Sequence, residues 1–175
     1  MVKFTTSLVA LALAASVAAA PAPTSQTTFS FAQWVEDIIA NPDTALTPEE
    51  AIAAAQTASI VSSAGGLRKR AWCPDAMRSA PAGDATACLN DLARKGGQGT
   101  MCTINLNQSG VEMCRIGGAH VYSTKAENPR QSVNCNDIAR TGGRIFDSCY
   151  RADNTVKGSE YCITNNQIQV NIEGI

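Results

Sequence analysis

The sequence predicts an α+β domain: two α-β-β units forming a single antiparallel sheet of about four strands, with two helices on one face and disulfides bracing them. Three observations predict it. Helical period runs through residues 85–95 and again through 135–149. Each of these stretches is followed by two segments that alternate apolar and polar. All seven cysteines fall at or after Cys73, while the alanine-rich front of the chain has none.

The front of the chain reads as a leader. Met1-Val2-Lys3 supplies a positive charge, residues 8–20 are apolar or small apart from Ser16, and Ala18-Ala19-Ala20 offers the small residues a signal peptidase requires. The expected division is a signal peptide over 1–20, a pro-segment over 21–70 and a cysteine-rich domain over 71–175. The leader's apolar run is shorter than the roughly 20 residues that cross a bilayer core. No later stretch comes close, so no membrane span is predicted and the product is expected outside the cell.

Within the pro-segment, Ser30 reads as the cap of a helix over 31–40, with Trp34, Val35, Ile38 and Ile39 on one face and Asn41-Pro42 stopping it. Thr47-Pro48-Glu49-Glu50 has the form of a capping box, since Thr47 can accept near Glu50 and Glu50 can reach back. That helix is expected to run to about Ser62 and to end at Ala64-Gly65-Gly66. Arg68-Lys69-Arg70 then marks the border between an acidic segment without lysine or arginine and the cysteine-rich part. Lys69 and Arg70 are read as a processing site for a kexin-type protease, on an exposed tether. The pro-segment's amphipathic helix is expected to shield an apolar face of the domain.

In the domain, Asp84 is expected to cap the helix over 85–95, which carries Cys88, Leu89 and Leu92 on one face and closes at Gly96-Gly97. Residues 100–106 alternate, Asn107-Gln108-Ser109-Gly110 reads as the turn, and 111–116 returns as the paired strand, with 119–123 extending the ladder. Residues 125–131 read as a linker and Ser132 as the next cap. Cys135, Ile138, Ala139, Gly142, Ile145, Phe146 and Cys149 then hold helical period for four turns. Asp153-Asn154 turns the chain, a strand is expected over 159–164, Asn165-Asn166 as a two-residue hairpin turn, and 167–172 alternates throughout.

In an oxidising compartment, Cys73, Cys88, Cys102, Cys114, Cys135, Cys149 and Cys162 are expected to pair as disulfides. None stands in a C-x-x-C arrangement, which argues against zinc. Three bridges and one orphan allow about 105 connectivities, the odd thiol being either free and buried or paired to another chain. Residues 71–175 carry ten basic and ten acidic side chains, so the electrostatic footprint of a nucleic-acid binder is missing.

His120 is the single histidine, which excludes chemistry needing two. Glu112, Arg115, His120 and Tyr122 gather on adjacent predicted strands. They are read as polar strand faces, with a small secreted ribonuclease as the alternative. No catalytic residue, metal ligand or cofactor is assigned, and the chain is read as no enzyme. Asn107-Gln108-Ser109 is a sequon, making Asn107 a candidate glycosylation site on a solvent-facing turn.

With the leader, dibasic site and cysteine-rich domain in view, the chain resembles small cysteine-rich secreted fungal proteins of the killer-toxin-like and effector α/β-sandwich type. The residues that carry the likeness are Ala87-Cys88-Leu89, Cys102, Cys114, the helix from Cys135 to Cys149 and the closing strand pair over 158–172. The resemblance implies virulence- or toxin-like action without catalysis, by binding a host or microbial protein or a surface glycan. A carbohydrate-binding or wall-associated module is the alternative from another class.

Overall fold

The computed structural model describes residues 28–60, 71–126 and 129–175. The processing residues Lys69 and Arg70, and the expected helix end at Ala64-Gly65-Gly66, lie outside them.

A short strand β1 (Thr28–Phe29) leads into helix α1 (Phe31–Ala40), capped as expected by the Ser30 hydroxyl, which accepts from the Gln33 N–H. Helix α2 (Pro48–Thr57) starts with both halves of the capping box formed between Thr47 and Glu50. It ends well before Ser62. Thr57 folds its hydroxyl back onto the carbonyls of Ala53 and Ala54, Ala58 is extended, and β2 (Ser59–Ile60) pairs in parallel with β1.

Strand β3 (Ala80–Pro81) precedes helix α3 (Ala82–Gly97). Asp84 is not its cap. The helix begins earlier, behind Pro81, and the Asp84 carboxylate instead accepts the Gly118 N–H at 2.7 Å, tying the helix to a hairpin. Gly99, at φ +82°, makes the left-handed step after the helix, beyond the Gly96-Gly97 pair. Gly96 serves packing, since a Cβ there would meet Asn136 and Asn134.

Strand β4 (Met101–Ile104) does not form a hairpin with β5 (Gly110–Ile116). It pairs antiparallel with β7 (Gln131–Asn134), a stretch expected to be the last linker residue and the helix cap at Ser132. The reason is covalent as well as hydrogen-bonded: Cys102 lies opposite Val133 and is bridged to Cys135 immediately beyond β7. Ser132 therefore sits in a strand, bonded to Thr103 at 2.7 Å, and Asn134 caps helix α4 (Cys135–Cys149) by accepting from Asn136 N.

Strand β5 turns through Gly117-Gly118, with Gly117 at φ +51°, into β6 (Ala119–Lys125). After α4, Asn154 at φ +60° makes the expected turn into β8 (Thr155–Val156), which pairs with β3. Strand β9 (Gly158–Cys162) then turns at Ile163-Thr164 into β10 (Asn165–Gly174). The turn comes two residues before the one expected. Asn165 already pairs with Cys162, and the register shifts between Asn165 and Gln169.

The main sheet is antiparallel, in the order β5-β6-β10-β9. Its inner face presents Cys114, Val121, Val170 and Ile172, all buried. The Cys88–Cys114 bridge fixes α3 to this face. Helix α4 lies on it too, because a Cβ on Gly158, opposite Ile172, would meet Cys149 and Ile145. The chain is thus α+β, with a four-stranded sheet and two helices on one face. Smaller two-stranded pairs surround it in place of the simple repeat of two α-β-β units. Helix α1 packs on the far side of α4, so the layers run sheet, α3 with α4, then α1 with α2.

Three bridges brace the domain: Cys73–Cys149, Cys88–Cys114 and Cys102–Cys135. In the chain-entropy account each contributes roughly 3–4.5 kcal/mol. Cys162 is the orphan, free and buried.

Candidate binding face

The outer face of the main sheet is open, and strand register says which side chains share it. Directly opposed residues of an antiparallel pair lie on one side. Asn171 opposes Tyr122 on β6 and Ser159 on β9, and Tyr122 opposes Glu112 on β5. At the β9 edge Trp72 pairs with Ser159 as an isolated antiparallel bridge. One row, Trp72–Ser159–Asn171–Tyr122–Glu112, therefore crosses the whole face. Tyr161 and Gln169 form the start of the next row.

Exposure along this row is uneven. Trp72 is 65% exposed and Tyr161, in the next row, 61%, while Ser159 and Asn171, further along the row from Trp72, are buried at 2% and 6%. The small polar residues lie at the floor and are held there. Asn171 Nδ2 donates to the carbonyls of Tyr122 and Gln169, and Gln169 Nε2 donates to Ser159 Oγ. The rings stand above them with their faces available. Both aromatics sit on β9 or paired to its edge.

The other end of the face is a charged cluster. A bulge between Glu112 and Cys114 places Glu112 and Arg115 on the same side although they are three residues apart. The Arg115 guanidinium grips both Glu112 oxygens at 2.6–3.0 Å, and this contact pulls the Glu112 carboxyl below its ordinary range against a smaller opposing effect of desolvation. His120 lies between two carboxylates, with Nδ1 3.1 Å from Glu112 and Nε2 3.2 Å from Glu173. Its ring leans on Tyr122 at 5.0 Å. Burial pushes the Tyr122 hydroxyl up, and Glu173 adds to it.

The four polar residues singled out in the sequence do meet. Glu173 was missed, though the alternation of β10 puts Gln169, Asn171 and Glu173 on one face. Trp72 was missed as a member of the face because nothing local assigns it to a sheet edge. Asn107, at φ +65°, is exposed on the turn between β4 and β5. Of the cysteines, six are joined in three bridges and Cys162 is buried. No group of three or more histidine, cysteine, aspartate or glutamate side chains that would hold a metal ion occurs among the described residues.

Residues 68–174 match the family described as a domain of unknown function, DUF8794. The chain belongs to that family. The match to DUF8794 starts at Arg68, the first residue of the dibasic stretch, and takes in every strand of the open face and all seven cysteines. Helices α1 and α2 lie outside it. No curated protein and no solved structure matches the chain significantly.

Proposed function

We propose that this DUF8794 protein is a secreted, effector- or toxin-like protein that acts without catalysis. It binds a protein or surface glycan on or in a host or competing cell through the open face of its sheet. The observation that carries the reading is the pair of exposed rings, Trp72 and Tyr161, at the β9 edge of the open face, beside a floor of satisfied amides and hydroxyls. Aromatic bodies over satisfied polar groups supply contact area with little cost in desolvation.

Several features support secretion. The leader over 1–20 and the dibasic residues Lys69 and Arg70 fit passage through a secretory pathway with kexin-type processing. Three disulfides fit an oxidising compartment. Among the described residues no helix is long and apolar enough to cross a membrane. The resemblance to killer-toxin-like proteins points the same way.

The non-catalytic reading draws on the charged cluster. Both nitrogens of His120 already face carboxylates, and Arg115 is spent on Glu112. Such a set fixes the strands' outer side chains to one another and leaves no group poised for a substrate, which weighs against the ribonuclease alternative. A His120→Gln variant is expected to keep the protein's activity on target cells, and loss of that activity would favour the ribonuclease.

The test is binding of fluorescently labelled protein to plant tissue and to rival microbes, with the double variant Trp72→Ala, Tyr161→Ala. Loss of binding at an unchanged melting temperature supports the reading, and undiminished binding removes it. The pair of exposed rings also favours a second reading, a carbohydrate-binding or wall-associated module, because sugars stack on ring faces. Glycan-array binding abolished by the same variant, without binding to foreign cells, selects it.

A further inference from the structure

The processed segment ahead of Ala71 is seated on the domain as though it were one of its own layers. Helix α1 buries Phe31, Trp34, Val35 and Ile38 in the common core. The Phe31 ring lies 4.6 Å from Phe146 and 5.5 Å from Tyr150. Gly143 of α4 lets the backbones close up, since a Cβ there would meet Ala32 Cα at 2.8 Å and Phe31 O at 3.0 Å.

Polar contacts set the register of this docking. The Asp147 carboxylate, on α4 and only 5% exposed, accepts the Ser30 hydroxyl and the Phe31 N–H at 2.7 Å each, and the Ala32 N–H at 3.2 Å. A buried carboxylate thus satisfies the free N–H groups of the first turn of α1. Arg140 holds Glu36 with two nitrogens at 2.8 and 3.0 Å, and Arg94 donates to the Pro42 carbonyl at 2.6 Å. The segment is also closed on itself: Trp34 Nε1 donates to Leu46 O across from α1 to the entry of α2, and β1 pairs with β2.

Withdrawing this segment exposes Phe146 and strips Asp147 of the three donors that compensate its burial. No cysteine lies in the segment, so nothing covalent would hold it after a cut at Arg68-Lys69-Arg70. We propose that the segment stays bound after processing, so that the working protein is a non-covalent pair of chains, residues 28–60 seated in the groove of α3 and α4 and residues 71–175 carrying the binding face. The inference rests on the processing reading above. Docking is on the side of the helix layer away from the sheet, so the retained chain leaves Trp72, Tyr161 and Tyr122 uncovered. Processing then frees the domain's N-terminus beside Trp72 without needing release.

Two measurements keep the inference and the processing reading apart. Denaturing mass spectrometry of the secreted protein shows whether the native site is cut. Separately, a full chain with a specific viral-protease sequence in place of Arg68-Lys69-Arg70 is cut in vitro and run on a sizing column and by native mass spectrometry at low micromolar concentration. The expected result is one species with both pieces at one to one, parting only in denaturant. Elution of the pieces as separate species overturns the inference, whatever the native site does. Asp147→Leu, with folding of the large piece checked by circular dichroism, is expected to release the segment. Glu36→Arg, an exposed change that does not threaten folding, is expected to raise the free fraction on dilution severalfold; identical retention in both variants overturns the assignment of the contacts.

Discussion

Trp72 and Ser159 exchange both backbone hydrogen bonds, each 2.8 Å long. This pair adds a rung to the exposed edge of β9 immediately before Cys73, whose bridge to Cys149 anchors the same strand end to α4. The first residues of the domain are therefore held twice, by a ladder rung and by a disulfide. The Trp72 indole is left free for contact.

A backbone role and a side-chain role at Trp72 make opposite predictions. Trp72→Ala keeps the rung and removes an exposed ring, so a change in stability within about 1 kcal/mol is expected. Trp72→Pro removes the N–H and leaves the Ser159 carbonyl without its donor, at a cost of about 1–3 kcal/mol. Urea unfolding of the two variants distinguishes them. Equal losses would mean that the rung contributes nothing.

The pH dependence of stability should carry the signature of Asp147. Burial pushes its carboxyl above the ordinary range, and the hydrogen bonds from Ser30, Phe31 and Ala32 only partly oppose this. Folding therefore takes up a proton at this site. Its favourable contribution is complete below the unfolded value, about 3.9, and is lost as the pH rises through the raised folded value. Asp147→Asn lacks that slope. The melting temperature of the wild type relative to the variant is expected to fall from acidic to neutral pH. A difference that grows instead would mean that the hydrogen bonds outweigh the burial.

Glycines give a paired test of the packing. Gly143→Ala pushes a methyl group against the backbone of Ala32, a rigid neighbour, and is expected to destabilise by about 1–3 kcal/mol. Gly83→Ala, in the first turn of α3, meets nothing within 4 Å and is expected to stabilise by about 0.5–1 kcal/mol through helix propensity. Denaturant midpoints of both variants check the signs, and a neutral Gly143→Ala would mean that α1 and α4 are not in close contact.

What the sequence made legible was local. The caps of α1 and α2 and the existence of α4 follow from Ser30, from Thr47 with Glu50, and from the period of Cys135 to Cys149, all decided within a few residues, although the cap of α4 is Asn134 and not the expected Ser132. What it hid was set by partners far along the chain. Alternation in β4 was visible, but its pairing with β7 depends on the Cys102–Cys135 bridge, one of many possible connectivities. Asp84 has the look of a cap and serves Gly118 instead, 34 positions away. The binding face is a row across strands, so Trp72, Ser159, Asn171 and Tyr122 share no local pattern. The Glu112–Arg115 contact was within reach of sequence reasoning, yet placing both on one face required the bulge.

The last prediction concerns the odd cysteine. Cys162 points from β9 into the core beside Thr164 and is 4% exposed, and the other six cysteines are consumed in three bridges. A thiol so placed cannot reach a second chain without local unfolding. One thiol per chain should therefore be unreactive toward an alkylating reagent in native buffer and fully reactive in denaturant, with no covalent dimer on non-reducing gels. Cys162→Ala deletes only the sulfur from a packed site and is expected to cost about 1 kcal/mol while leaving the three bridges intact by peptide mapping. A thiol alkylated rapidly in the folded protein, or a disulfide-linked dimer that disappears in Cys162→Ala, would show that the β9 strand faces the other way. The open face would then lose Tyr161, because the two residues are neighbours in one strand and cannot both point outward.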